Sequence, residues 1–141
     1  MASADLLGSE ERLVNTIANL FLLAGLPVMK HVSVDGFEID ILAIEPGSPR
    51  DSVVIVEVKK RPKPKLLKQV FKRLEYADYV YVGVPYTWYA WAYNKLPRSV
   101  GVIVVIDNEA VILRSATWVG NGGRLLRKIG SANQLPMQEA P

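Results

Sequence analysis

Two neighbouring stretches decide how this chain folds: Phe37-Glu38-Ile39-Asp40-Ile41-Leu42-Ala43-Ile44 and Val53-Val54-Ile55-Val56-Glu57-Val58-Lys59. Both are short and rich in β-branched residues. Asp35-Gly36 precedes the first and Pro46-Gly47-Ser48-Pro49 separates the two, so each reads as a strand between turns. The second is apolar on both faces, which marks a central strand covered on both sides. Residues two apart in a strand share a face, so Glu57 and Lys59 point the same way at its C-terminal end. A lone carboxylate buried there is costly unless it is paired or holds a cation. Asp40 on the adjoining strand offers a second carboxylate, and a divalent cation would neutralise both. The competing reading is a Glu57–Lys59 ion pair at a sheet edge.

Working outward, Val28 to Val34 reads as a strand that turns at Asp35-Gly36 into the Phe37–Ile44 strand. Upstream, Ser9 is expected to cap a helix with Glu10 and Glu11 in its first turn. Leu13, Ile17, Leu20, Phe21 and Ala24 recur along it at helical spacing, and Gly25 stops it. Downstream, Ser52 to Lys59 is followed by Pro62 and Pro64, which suit the first turn of a second helix. Leu67, Val70, Phe71, Leu74 and Ala77 form its expected apolar stripe, with Lys65, Lys68, Gln69, Lys72 and Arg73 on the other faces. Tyr79 to Val84 is a fourth strand, Thr87 to Leu96 a short aromatic helix, and Val100–Ile106 with Ala110–Leu113 a hairpin over Asp107-Asn108. Gly120-Asn121-Gly122-Gly123 reads as a hinge, Arg124 to Ile129 as one or two helical turns, and Ser131 to Pro141 as a loose polar tail. A helix leading from a meander to a further strand of the same sheet predicts an α/β fold, a central mixed β-sheet flanked by helices. The expected organisation is one domain over 1–119, with 120–141 as hinge and flexible tail.

Composition bounds the chemistry. The 141 residues include 50% hydrophobic and 22% charged side chains, a globular composition. With no cysteine and a single histidine, thiolate zinc sites, cysteine nucleophiles and multi-histidine metal centres are excluded. A resident metal would be held by carboxylates and backbone oxygens, which suits a hard cation. No organic cofactor is expected. No apolar run reaches the roughly 18 residues of a membrane span. Met1 to Gly8 lacks the basic cluster of a secretory signal, so a cytoplasmic protein is expected. The net charge is only +3, but Lys59, Lys60, Arg61, Lys63, Lys65, Lys68, Lys72 and Arg73 crowd into one stretch. That stretch reads either as a polyanion-binding surface or as the solvated face of a helix.

Asp40 followed by Glu57-Val58-Lys59, set in a helix–three strands–helix–strand order, resembles the PD-(D/E)XK nuclease superfamily. The likeness spans Ser9 to Val84 and, within the superfamily, is nearest to archaeal Holliday-junction resolvases and RecB-like nucleases. Ile39 stands where such families often carry proline before the aspartate. The resemblance implies a restriction-endonuclease-like core, α-β-β-β-α-β, with the later helix and hairpin as an extension. It implies Mg2+, with Mn2+ as a substitute, held by Asp40, Glu57 and the backbone carbonyl of Val58. Such an ion would polarise a phosphate and lower the pKa of a water, while Lys59 orients that water or stabilises developing charge. In the resolvase-like branch an acid early in the first helix joins the metal site, and Glu10 fits by position; helix-dipole compensation explains it equally well. RecB-like nucleases place a glutamine on the second helix within a QxxxY pattern, and Gln69 matches with Arg73 in place of the tyrosine; an exposed polar residue is the alternative. Lys60, Arg61, Lys63, Lys65, Lys68, Lys72 and Arg73 would then track nucleic-acid phosphates.

The function implied is a magnesium-dependent endonuclease acting on DNA, branched or repair-intermediate DNA among its substrates, working as a homodimer. The competing classes are a non-catalytic nucleic-acid-binding protein that keeps the nuclease fold and a dimeric scaffold. Tyr86, Trp88, Tyr89, Trp91 and Tyr93 suit base stacking, sheet packing or a dimer interface, and their lack of interleaved cations favours the latter two. His31, with no acid partner evident in the sequence, reads as an ordinary strand residue.

Overall fold

The computed structural model describes the backbone of residues 2–132 and the side chains of residues 10–129. The elements run α1 (Ala2–Leu23), β1 (Val28–Val34), β2 (Phe37–Glu45), β3 (Ser52–Val58), α2 (Lys65–Leu74), β4 (Tyr79–Pro85), a 3-10 turn (Tyr86–Trp88), α3 (Tyr89–Lys95), β5 (Gly101–Ile106), β6 (Glu109–Arg114) and α4 (Gly123–Ala132). The strands form one six-stranded sheet in sequential order, β1 to β6. The β1–β2, β2–β3 and β5–β6 pairs are antiparallel; β3–β4 and β4–β5 are parallel. The architecture is therefore α/β, a mixed sheet flanked by helices. Asp35 and Gly36 both adopt positive φ, 47° and 85°, which closes the β1–β2 hairpin, and Asp107 does the same between β5 and β6. Among the described residues no helix is long and apolar enough to cross a membrane.

Two cores sandwich the sheet. Val14, Ile17, Ala18 and Phe21 of α1 pack on Val54, Val56, Val58, Ile103 and Val105. On the other face, Leu66 and Val70 of α2, Ala92 of α3 and Leu125 of α4 cover Val53, Ile55, Val80, Val82 and Val102. Every residue of β3 from Val53 to Val58 is buried, as its two-faced apolar pattern requires. Gly83 on β4 lets α1 approach, since a Cβ there would stand 2.3 Å from Ile17 Cδ1.

The N-terminal ends of β3 and β4 are tied together through Asp78, which is fully buried. Arg50 donates two hydrogen bonds to its carboxylate, each 2.8 Å, and the N–H groups of Val53 and Gly122 donate at 2.8 and 2.9 Å. Burial alone would raise the Asp78 pKa. The bonds from Arg50, Val53 and Gly122 outweigh it and hold the carboxyl below its ordinary value.

Several expectations are corrected. Helix α1 starts at Ala2, with Ser9 inside it, because Ala2, Ala4, Leu6 and Leu7 extend the helical sequence upstream of the expected cap. On α2 the fully buried positions are Leu66, Val70 and Arg73, while Phe71 is 57% exposed; the stripe is rotated by about one residue from the expected one. The segment 120–123, expected as a hinge, is bonded to the fold: the Gly122 N–H donates to Asp78, the Asn121 N–H donates to the Ala77 carbonyl at 3.0 Å, and its Nδ2 donates to the Leu74 carbonyl at 2.8 Å. The Leu125 side chain then seats α4 on the sheet, so the packed structure runs past 119. Residues 133–141 of the expected tail lie outside the described residues.

Candidate functional site

The β2–β3 ladder runs from Glu45↔Ser52 to Ile41↔Val56 and stops one step short of Asp40 and Glu57. Strand β3 continues along β4 instead, where the Lys59 N–H donates to the Gly83 carbonyl at 3.0 Å. Strands β2 and β3 thus splay apart at the C-terminal end of β3. In the gap the Val58 N–H donates to Asp40 Oδ2 at 2.8 Å, a carboxylate in place of a strand partner. Facial alternation along β2 also breaks here: Ile39 packs beneath α2–α4, whereas Ile41, two residues on, packs beneath α1. Burial, then the charges of Glu38 and Glu10, raise the Asp40 pKa against the pull of the Val58 N–H and Lys59.

Glu57 lies on the α2 face of β3 and is 2% exposed. Its partner is Arg73, whose Nε donates to Glu57 Oε2 at 3.0 Å. The same guanidinium donates to the Glu38 carbonyl at 3.1 Å and lies 4.1 Å from the Phe37 ring centroid. Burial and the neighbouring Asp40 charge push the Glu57 carboxyl from 4.5 to about 7, against the opposing pull of Arg73 and Lys59. Arg73, expected on the phosphate-binding surface, is therefore a buried partner of Glu57. Its place at i+7 and i+3 from Leu66 and Val70 puts it on the buried stripe.

An open cleft of about 410 Å³ is lined by Glu10, Lys59, Lys60, Arg61, Lys63, Lys65, Leu66 and Gln69. Glu10 reaches it from α1, its Oε2 accepting the Lys60 N–H at 3.2 Å. Gln69 reaches it from α2, and its buried Oε1 finds no hydrogen-bond partner among the described residues. Lys59, Glu10 and Gln69 thus share one cleft with four of the expected phosphate-binding cations, while Lys68 and Lys72 lie exposed further along α2.

A second cluster was not foreseen in the sequence. His31 adopts φ 55° inside β1, and the ladder skips its pairing with Asp40 although Lys30↔Ile41 and Val32↔Ile39 are both made. Its Nε2 lies 2.8 Å from Glu11 Oε1 and its Nδ1 3.5 Å from Glu38 Oε1. Burial is the largest single influence on the His31 pKa and lowers it, but the bonds to and charges of Glu11 and Glu38 together outweigh it and raise the value. One ligand atom each from His31, Glu38 and Asp40 lie within 4.8 Å of one another, a spacing that could hold a metal ion; Glu57 and Glu10 are outside that group. The carboxylates and amide oxygens along this edge are donors for a hard cation, and the raised Glu57 and the unpartnered Gln69 oxygen are both groups that a cation or its ligands would satisfy. Of the aromatic run, Trp88, Tyr89 and Trp91 pack against the α2–α4 core, and Tyr86 and Tyr93 remain exposed.

No protein-family model matches the chain, and no curated protein matches it. A solved protein of unknown function from Silicibacter pomeroyi has the same fold, with a TM-score of 0.67 over 88% of this chain and 85% of that one at 18% identity. That likeness carries the fold alone.

Proposed function

We propose that the chain is a metal-dependent nuclease of the PD-(D/E)XK type that hydrolyses phosphodiester bonds in DNA, with a restriction-endonuclease-like core. The observation that carries this reading is the splay of β2 from β3. It gathers Asp40, buried Glu57 and Lys59 beside a cleft that also holds Glu10, Gln69 and a rim of lysines. A carboxyl pushed up to about 7 by burial and a second carboxylate marks a place short of positive charge. Asp40 and Glu57 would hold a magnesium ion, which when bound polarises the scissile phosphate. Lys60, Arg61, Lys63 and Lys65 would bind and orient the flanking phosphates. Lys59 would place its charge where the transition state becomes more negative.

A specific observation favours a second reading, a nucleic-acid-binding module without catalysis: the Arg73 guanidinium already occupies Glu57 Oε2, where a cation would sit. One experiment separates the two. Purified protein is incubated with Mg2+ or Mn2+ and linear, flapped and four-way DNA, and binding is measured in Ca2+. On the nuclease reading Glu57→Gln cuts about a thousandfold more slowly, about 4 kcal/mol of lost transition-state stabilisation, and still binds. Binding without cutting by the unmodified chain leaves the binding-module reading; cutting at an unchanged rate by Glu57→Gln removes the assigned site.

A further inference from the structure

Helix α4 carries no motif that points to a function, yet it is as basic on its outer face as α2. Arg124 and Arg127 are exposed, and the Lys128 side chain is 48% exposed and paired with Asp35. On α2, Lys65, Lys68 and Lys72 stand at i, i+3 and i+7, one stripe of the helix. One cation of each set, Lys72 and Arg124, meets at Tyr76. Lys72 Nζ lies 5.7 Å from the Tyr76 ring centroid and the Arg124 guanidinium 4.9 Å from it, so one ring carries a cation from each helix. The Tyr76 hydroxyl donates to Asp35 at 2.8 Å, which fixes the ring, and the Asp35–Lys128 pair ties α4 to the same point. Against these cations stand Asp35 and Glu75, the latter only 3.9 Å from Lys72. Lys65 also lines the cleft described above, so cations run from the cleft, along the Lys65–Lys68–Lys72 stripe of α2, to Arg124 of α4.

We propose that this surface is a single phosphate track, and that Arg124 and Arg127 of α4 bind the backbone of a DNA duplex several phosphates away from the cleft. The proposal rests on the nuclease reading for the identity of the polyanion. The length supports a polymer over a nucleotide: ten residues of α2 alone span about 15 Å, longer than two consecutive phosphates of one strand at about 3.4 Å of axial rise each. Cations set on two helices joined by one packed ring are held at fixed spacing, as a stiff duplex needs.

The test measures binding of a duplex of about 24 base pairs in Ca2+ between about 50 and 200 mM salt. The chain is compared with the Arg124→Gln/Arg127→Gln and Arg124→Lys/Arg127→Lys double variants. The glutamine pair should weaken binding about tenfold at the lower salt and reduce the salt slope by about 2, roughly one unit for each phosphate no longer neutralised. The lysine pair, which keeps charge but not the guanidinium plane, should keep the slope and so exclude a folding defect. A glutamine pair with unchanged affinity and slope overturns the track. Absence of cutting with the slope change present removes only the nuclease reading. Absence of any DNA binding by the unmodified chain removes both.

Discussion

Replacing Arg73 by methionine would remove the guanidinium from Glu57 and from the Phe37 ring while keeping an unbranched apolar side chain at this buried position. The pair is buried on both sides, with side chains 6% and 3% exposed and 3.0 Å between them. Breaking such a pair by deleting one partner costs about 3–5 kcal/mol when the remaining charge cannot escape. Glu57 has an escape, because its carboxyl already sits near pH 7 and can take up a proton. The sign follows from linkage. An acid whose folded pKa lies above its unfolded value binds its proton more tightly when folded. Its contribution is therefore most favourable below pH 4.5 and is lost as pH rises to the folded pKa, here a span worth about 3 kcal/mol. Without Arg73 the folded pKa rises further, so the loss continues beyond pH 7 by up to about 1.4 kcal/mol per pH unit. The expected result of urea denaturation in EDTA is a variant deficit distinctly larger at pH 8 than at pH 6. Added Mn2+ should raise the melting temperature of Arg73→Met more than that of the unmodified chain, because the cation no longer competes with a guanidinium. A deficit that is flat from pH 6 to 8 would show that Glu57 does not titrate there and refute the electrostatic argument. A deficit that widens with pH, with no Mn2+ response in either protein, would keep that argument and remove the cation.

Two further predictions concern the opposite end of the sheet. Asp78→Asn should cost about 3 kcal/mol by denaturation near pH 7, since it leaves Arg50 facing a neutral amide. Because the folded pKa of Asp78 is depressed, its stabilisation is present above about pH 4 and is lost as pH falls through the folded value, so the gap between the two proteins should close in acid. Gly122→Ala should be as damaging, because its Cβ would stand 2.4 Å from Asp78 Oδ2 and 2.8 Å from Val53 Cβ. Both changes break the same knot, so the double variant should be more stable than the sum of the single losses requires.

The strands were legible because their signals are local and agree with one another: Val28–Val34 is the β1 of the structure, and the Asp35-Gly36 and Asp107-Asn108 turns close the hairpins they suggest. The sequential strand order follows from short antiparallel connections and two helical crossovers, α2 between β3 and β4 and α3 between β4 and β5. Arg73 was misplaced because its neighbours Lys68, Lys72 and Glu75 are solvent-facing and composition outweighed phase; the Leu66–Val70–Arg73 spacing held the right answer. Asp78 could not be found at all, since its partners Arg50, Val53 and Gly122 are scattered over the chain and meet only when β3, β4 and the segment before α4 pack. The His31 cluster was hidden for a backbone reason: a left-handed residue inside a strand has no signature in a residue as ordinary there as histidine. Asp40, Glu57 and Lys59 stood out because a carboxylate in a strand apolar on both faces is rare enough to be noticed without knowing its partners.

The two ends of the parallel strand pair β3–β4 are built to opposite rules. At the N-terminal end, Asp78 is fully buried with two guanidinium and two backbone donors, so a carboxylate that burial would neutralise stays ionised and joins Arg50, Val53 and Gly122. At the C-terminal end the polar groups are less completely satisfied. The β2 ladder gives out before Asp40, Glu57 is driven up to about 7 despite Arg73, and the Gln69 oxygen lacks a donor among the described residues. Each of these costs stability, and no packing consideration requires them, since Glu57 sits in line with Val53 and Ile55 on a face where another apolar residue would fit the pattern. In open α/β sheets, ligands bind outside the carboxyl ends of the parallel strands, which is where this under-satisfied edge lies. A buried polar group with its needs met is explained by the fold; an amide oxygen without a partner and a carboxyl driven up to about 7, gathered at one strand end beside a basic cleft, are groups that a bound cation would satisfy.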